Sequence, residues 1–321
     1  MNYTSVHDID SVSEWVDEAL ALKKNPWKYV ELGKQKTLVL LFFNPSLRTR
    51  LSTQKAALYL GMNVMVMNFG SEGWTLEYKD GTIMDQGTSE HIKEAAQVVS
   101  QYADIIAIRS FAKLEDRIED YREKVLNGFV RYASAPIINM ESCIGHPLQA
   151  LTDAITIREF VPIEKPKIVL SWAPHPKALP QAVANSFVEI MVKGGYDLTI
   201  ACPEAYKLSP EVTGSVSYNH DPEEAYKDAD VVYAKNWSSY EQYGQVLSQN
   251  QKWQISHAKM KLTNNAKFMH CLPVRRNVVV EDAVLDSKAS LVIEQANNRT
   301  FAAQLVLKKI LEHDSKKIDV L

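Results

Sequence analysis

Residues 37–50 read TLVLLFFNPSLRTR: a continuous apolar run, an Asn-Pro break, then a polar segment that leads into RLSTQKAALYL at 50–60. An unbroken apolar run, without in/out alternation, suits a strand covered on both faces of a parallel sheet. Asn-Pro marks a turn, and the segment after it is rich in helix formers. The stretch therefore reads as strand, turn and helix N-terminus. At such a junction, backbone N–H groups and the helix dipole favour a phosphate. Ser46 and Thr49 add hydroxyls, and Arg48 adds a guanidinium that can bind an anion through two N–H groups. A Ser46 N-cap followed by two solvated arginines would produce the same text, so the segment alone leaves both readings open.

Working outward, the same strand pattern recurs at 63–68 (NVMVMN), 104–108 (DIIAI) and 136–139 (PIIN). It continues at 167–172 (KIVLSW), 197–202 (DLTIAC), 230–234 (DVVYA), 267–270 (KFMH) and 291–294 (LVIE). Helical stretches fall between them at 50–60, 92–102, 148–160 and 180–193, and a last helix is expected at 300–313. This alternation predicts an α/β protein with two domains, each a parallel sheet flanked by helices. The 321 residues are about twice the usual single-domain length, which agrees. The break is expected at 141–151, and 160–167 (FVPIEKPK) reads as the loop into the second sheet.

Bulk composition excludes several classes. Net charge is −3, with 46% hydrophobic and 23% charged residues, so nothing points to nucleic acid or a membrane surface. No apolar run approaches the about 18 residues of a membrane span. The N-terminus lacks the basic and apolar regions of a signal peptide. Cys143, Cys202 and Cys271 are odd in number and widely spaced, which suits a reducing compartment, and a cytoplasmic protein is expected. Neither GxGxxG nor a Walker A loop occurs, so no dinucleotide or nucleoside triphosphate cofactor is signalled. A loop at 70–81, GSEGWTLEYKDG, is too long and polar for a simple turn.

Two further constellations could carry chemistry. In HPLQ, His146 precedes a proline and so sits in extended backbone, with Gln149 close behind. The pair could address one carbonyl oxygen, or His146 could be a core histidine beside a helix-starting proline. In HCLPVRR, Cys271 lies at a strand's C-terminal end, where ligands bind in open α/β sheets. A thiolate nucleophile, a metal ligand and a plain buried cysteine all remain open there.

Taken in order, SLRTR at a helix start, HPLQ and HCLP resemble the aspartate/ornithine transcarbamylase superfamily, and the likeness runs from Phe43 to Arg299. The resemblance implies a carbamoyl-phosphate-binding domain at 1–147, with a C-terminal helix at 300–321 packed back on it. It implies an amino-substrate domain at 148–299 and assembly as a homotrimer. Ser46, Leu47, Arg48 and Thr49 would hold the phosphate. Arg109, His146 and Gln149 would hold the carbamoyl end, with Cys271, Leu272 and Arg299 completing the pocket. Arg109, His146, Gln149 and Cys271 are the expected catalytic set. Trp74 resembles the residue a neighbouring subunit inserts, or is a loop Trp packed on its own domain. No metal, cofactor or covalent enzyme intermediate is implied.

The acceptor side of the resemblance is more specific. HCLP argues for an ornithine rather than an aspartate acceptor. Ordinary ornithine enzymes carry an SMG loop and an acidic residue after the strand that corresponds to DVVYA. This chain has AKNWSSY at 234–240, with Lys235 in place of the acid. A cation there repels an α-ammonium and can pair with a carboxylate. AKNWSS resembles the N-acylornithine branch, in which Glu141, His175, Lys235 and Arg275 match substrate-contacting positions. The implied substrates are carbamoyl phosphate and N-acetyl- or N-succinyl-L-ornithine, in arginine biosynthesis. Most of the chain looks succinyl-like, whereas Glu90 matches the acetyl enzymes, and a carboxylate near the acyl tail would repel a succinyl group. Glu90 also reads as an ordinary acid near a helix N-terminus. An ordinary ornithine carbamoyltransferase and a non-catalytic carbamoyl-phosphate-binding paralogue are the alternatives.

Overall fold

The computed structural model describes residues 1–318, with side chains through Asp314. The first half of the chain runs α1 (Val12–Lys24), β1 (Thr37–Phe42), α2 (Arg48–Tyr59), β2 (Asn63–Asn68), β3 (Leu76–Glu77), β4 (Glu90–His91), α3 (Ile92–Tyr102), β5 (Ile105–Arg109), α4 (Arg117–Tyr121), α5 (Lys124–Tyr132) and β6 (Ile137–Glu141). Helix α6 (Pro147–Phe160) leads into β7 (Lys167–Trp172), α7 (Ala182–Lys193), β8 (Asp197–Ala201), α8 (Pro210–Thr213), β9 (Ser217–Asn219) and α9 (Pro222–Tyr226). The chain then passes through β10 (Val231–Lys235), α10 (His257–Met260), β11 (Lys267–Met269), α11 (Asp282–Leu285) and α12 (Val292–Ile318).

Two separate parallel sheets result, as the apolar runs predict. Their strand orders are β2-β1-β5-β6 and β11-β10-β7-β8-β9, with a small parallel pair, β3-β4, apart from both. Strand β1 explains why its run does not alternate. Leu38, Leu40 and Phe42 enter the main core, whereas Val39 and Leu41 enter a second cluster with Ile92, Ile106 and Phe129. Both faces are covered, so both must be apolar.

Helix α6 is buried from Pro147 through Ile157 and packs on β6, α1, α7 and α12, so it bridges the two sheets. It has no polar stripe because it has no solvent face. Helix α12 returns the chain to α2, α6 and α1.

Two expectations need correction, and one strand was not anticipated. Residues 291–294 are not a strand: Phe268 and Ser290 form a single bridge, and the chain then enters α12 at Val292. So short an apolar run cannot distinguish strand from helix by period. The last helix accordingly starts at Val292 rather than at 300, and residues 319–321 of the expected segment lie outside the described residues. Finally, β9 adds an edge strand of sequence SYN, whose polar text carries no strand signal. Among the described residues no helix is long and apolar enough to cross a membrane.

Candidate active site

In each sheet the strand order reverses at one point, and an open α/β sheet binds ligands at the carboxyl ends of the strands there. In the first sheet that point lies between β1 and β5, where Phe42 pairs with Arg109. In the second it lies between β7 and β10, where Trp172 pairs with Lys235. The two strand ends face one cavity of about 240 Å³, lined by Ser46, Arg48, Thr49, Arg109, Glu141, His146, Gln149, His175, Lys235, Cys271, Leu272 and Arg299. Twelve sequence-nominated residues from six elements and their loops thus meet.

Leu47, Trp74, Glu90 and Arg275 do not line the cavity. Leu47 is 66% exposed, and Trp74 is 55% exposed with its indole N–H donated to Glu90. Arg275 stands one residue further out, donating Nε–H to His175 Nε2 at 3.0 Å. On the other side of the ring, His175 Nδ1 lies 2.8 Å from Lys177 O and 3.1 Å from Lys177 N.

The carbamoyl-phosphate end named by the resemblance is built by crossed hydrogen bonds. Ser46 Oγ accepts Thr49 N–H at 3.3 Å, one residue ahead of the Leu47 cap, and tightens the first turn of α2. Arg299, reaching in from α12, donates Nη2–H to Thr49 Oγ1 at 2.7 Å and Nη1–H to Gln149 Oε1. Thr49 Oγ is an acceptor in that bond, so its own O–H points elsewhere and can donate. Arg48 Nε is buried with no hydrogen-bond partner, which is costly for a guanidinium unless an anion meets it.

Arg109 is held on both sides. It donates to Glu141 Oε2 from Nε at 3.2 Å and lies 3.1 Å from it at Nη2, and Nη1 donates to Asn44 O and Pro45 O at 3.0 and 2.7 Å. Its guanidinium lies 4.0 Å over the Phe111 ring. Three of its five N–H groups are thereby hydrogen-bonded, and Nη2, in ion-pair contact with Glu141, keeps a donor for a ligand. Burial pushes the Glu141 carboxyl up, against the pull of Arg109, Arg299 and Lys235.

His146 caps α6, with Nδ1 accepting Gln149 N–H at 3.3 Å. Burial, then Arg299, Arg109 and Lys235, push its pKa well below 6.5. It is therefore a neutral imidazole with its proton on Nε2, a donor lying 3.7 Å from Glu141 Oε2. Burial also raises the Cys271 thiol, so it stays protonated and is a poor nucleophile.

Lys235 is 8% exposed and has no hydrogen-bond or ion-pair partner among the described residues. Arg48, Arg109, Arg299 and Lys235 oppose the single carboxylate Glu141. The lining therefore carries more positive than negative charge, with the neutral imidazole of His146 among its donors.

Sequence reasoning missed Phe111, Leu179, Pro180, Val183 and Pro273, which also line it. The available signal was position: Phe111 follows the end of β5, and Leu179 and Pro180 precede α7 after the end of β7.

The chain belongs to the aspartate/ornithine carbamoyltransferase family: residues 2–159 match its carbamoyl-P binding domain and residues 180–310 its Asp/Orn binding domain. It is 50% identical to the N-succinylornithine carbamoyltransferase of Bacteroides thetaiotaomicron, over 97% of this chain and 98% of that one. It is 38% identical to the N-acetylornithine carbamoyltransferase of Xanthomonas campestris pv. campestris, over 92% and 94%. A crystal structure of acetylornithine transcarbamylase complexed with acetylcitrulline superposes with a TM-score of 0.92 at 36% identity, covering 97% of this chain and 99% of that one.

Proposed function

We propose that the protein transfers the carbamoyl group of carbamoyl phosphate to the δ-amine of an N-acylated L-ornithine, releasing phosphate and an N-acyl-L-citrulline, as a step in arginine biosynthesis. The neutral amine attacks the carbamoyl carbon, the bond from that carbon to the phosphate oxygen breaks, and the amine proton leaves with phosphate or solvent. Arg48 and the N-terminus of α2 hold the phosphate. His146 Nε2–H, the Arg109 Nη2 donor and the Thr49 hydroxyl stabilise the carbonyl oxygen as it gains charge. Gln149 and Arg299 fix the carbamoyl end, and much of the acceleration is proximity. Cys271 and Leu272 contribute shape and backbone, not a nucleophile.

The observation that carries the acceptor assignment is Lys235, a buried cation without a partner where a free α-ammonium would otherwise dock. A buried charge calls for its opposite, so a carboxylate-bearing acceptor with its α-amine masked fits. His175 and Arg275, joined at the rim, extend the carboxylate-binding side. Whole-chain similarity favours a succinyl acceptor, whereas the charge of Glu90 favours acetyl. We assign the preference to acetyl on that charge.

Trp74 and Glu90 do not line their own cavity, and Leu47, Leu51 and Leu58, at helical spacing, put an exposed apolar face on the start and length of α2. That face supports self-association as a homotrimer in which the Trp74–Glu90 pair serves a neighbouring subunit's cleft. We place the division of labour at 1–147 for carbamoyl phosphate and 148–299 for the acceptor, and the enzyme in the cytoplasm, where three free thiols persist.

Citrulline-type product from carbamoyl phosphate with ornithine, N-acetylornithine and N-succinylornithine in parallel tests this. Turnover of an acylated acceptor without turnover of ornithine is expected. Turnover of free ornithine would overturn the role of Lys235, and inactivity with all three would leave a binding protein.

A further inference from the structure

Directly behind the cleft lies a carboxyl group that carbamoyl transfer leaves without a role. Asp153 sits one helical turn past Gln149 on α6 and is fully buried. Its Oδ1 accepts Gln149 Nε2–H and Gln295 Nε2–H, each at 2.7 Å. A carboxylate oxygen only accepts, so both amides must turn their NH2 groups toward it and their carbonyls away. Gln149 Oε1 then receives Arg299 Nη1–H, and Gln295 Oε1 receives His270 N–H at 3.0 Å. Were Gln149 flipped, its NH2 would face the guanidinium of Arg299, donor against donor. Arg299 would lose the anchor that aims its other nitrogen at Thr49.

The far oxygen, Oδ2, and the hydroxyl of Tyr233 are both buried and neither completes a hydrogen bond, but the two groups interact. Against burial, which raises both, Tyr233 pulls the Asp153 carboxyl down, and Asp153 adds to the rise of the Tyr233 hydroxyl. Tyr233 lies on β10, two residues before Lys235. A buried group held through one oxygen by two glutamines from different helices is built for orientation more than for solvation.

We infer that Asp153 is a positioning residue for carbamoyl transfer, whose accepting Oδ1 sets the amide orientation of Gln149 and, through it, the aim of Arg299. This role rests on the carbamoyl-transfer reading of the cleft. Burial pushes the Asp153 carboxyl up to about 7. With two donors on Oδ1, its proton belongs on Oδ2, so Asp153→Asn, with Nδ2 in that place, preserves the accepting oxygen.

The test is the affinity of the full chain for carbamoyl phosphate alone, by isothermal titration calorimetry, with the fold checked by circular dichroism. Asp153→Asn is expected to bind within about threefold of wild type, whereas Asp153→Leu, which accepts nothing, binds roughly 10- to 100-fold more weakly. In a Gln149→Met background the same Leu substitution should cost less than about threefold, since no amide is left to orient. An equal loss in both backgrounds overturns the inference, because Asp153 would then act by packing alone. If Asp153→Leu does not fold, Asp153→Asn still decides: a loss of more than about tenfold in a folded protein would show that the charge, not the oxygen, matters. A misassigned acceptor would leave all these affinities unchanged, so the two failures are distinguishable.

Discussion

The indole Nε1–H of Trp74 donates to Glu90 Oε2 at 2.8 Å, tying the Gly-rich loop to the parallel pair β3-β4 and holding both side chains outside their own cleft. In the assembly proposed above, insertion of Trp74 into a neighbouring cleft would carry the carboxylate of Glu90 with it. Replacing Glu90 by Pro removes a negative charge that opposes a succinyl carboxylate. The ratio of kcat/KM for N-succinylornithine to that for N-acetylornithine should rise by roughly tenfold, about 1–2 kcal/mol for a partly screened like-charge pair. Trp74→Phe, which frees Glu90, should shift the same ratio. Steady-state rates on both acceptors decide, and an unchanged ratio in Glu90→Pro would remove Glu90 from specificity.

Lys235→Met keeps the length of the side chain and deletes its charge. The KM for the acylated acceptor should rise roughly 10- to 150-fold, the about 1.5–3 kcal/mol of a buried charged hydrogen bond, while carbamoyl phosphate affinity stays the same. Because Lys235 is largely buried and forms no hydrogen bond or ion pair among the described residues, the melting temperature should hold or rise. A lowered melting temperature with an unchanged KM would mean that Lys235 is structural.

Cys271→Ala should retain activity within about tenfold, since a thiol pushed up by burial contributes packing rather than a thiolate. Iodoacetamide at pH 8 should alkylate Cys271 slowly, as mass spectrometry of the peptide would show. Loss of all turnover in a folded Cys271→Ala protein contradicts the mechanism given above.

Asp153 also makes a prediction about stability. Its carboxyl is raised from 3.8 to about 7 by burial, so the folded protein keeps a proton that the unfolded chain has released. The stabilisation is full below the unfolded pKa and is lost as pH rises toward the folded value. Asp153→Asn, neutral at every pH, should therefore gain on wild type between pH 4 and pH 8, by up to about 4 kcal/mol. Urea denaturation of both proteins across that range measures the gap, and a constant gap would rule out the raised pKa.

How far the sequence could be read differs from one element to the next. The strands β1, β5, β7 and β10 were visible because a parallel strand buried on both faces must be apolar throughout, whereas the edge strand β2 was visible from its β-branched and Met-rich run although none of its residues is buried. The edge strand β9 was invisible because SYN satisfies no core. The start of α12 was misplaced because Leu291–Val292–Ile293–Glu294 is too short for period 2 and period 3.6 to differ. At the site, Arg48 and His146 could be named because each stands at a helix start, whereas Arg109 and Lys235, at strand ends, were named through the family resemblance. Phe111, Leu179 and Pro180 stand there too, but they are apolar and carry no chemical flag.

By itself the sequence determined two parallel sheets, the strand ends at which chemistry collects, and the excess of cations over acids among the residues that collect there. Those features follow from local periodicity and from the residue types at turns. Only the tertiary structure decided that Arg299 meets Thr49 across the chain, that Glu141 lies between Arg109 and His146, and that Asp153 orients Gln149. The Trp74–Glu90 bond was likewise decided there. Such pairings depend on where α6, α12 and the two sheets cross, and crossing geometry is set by packing of the whole core, which leaves no period or spacing in the chain to be read.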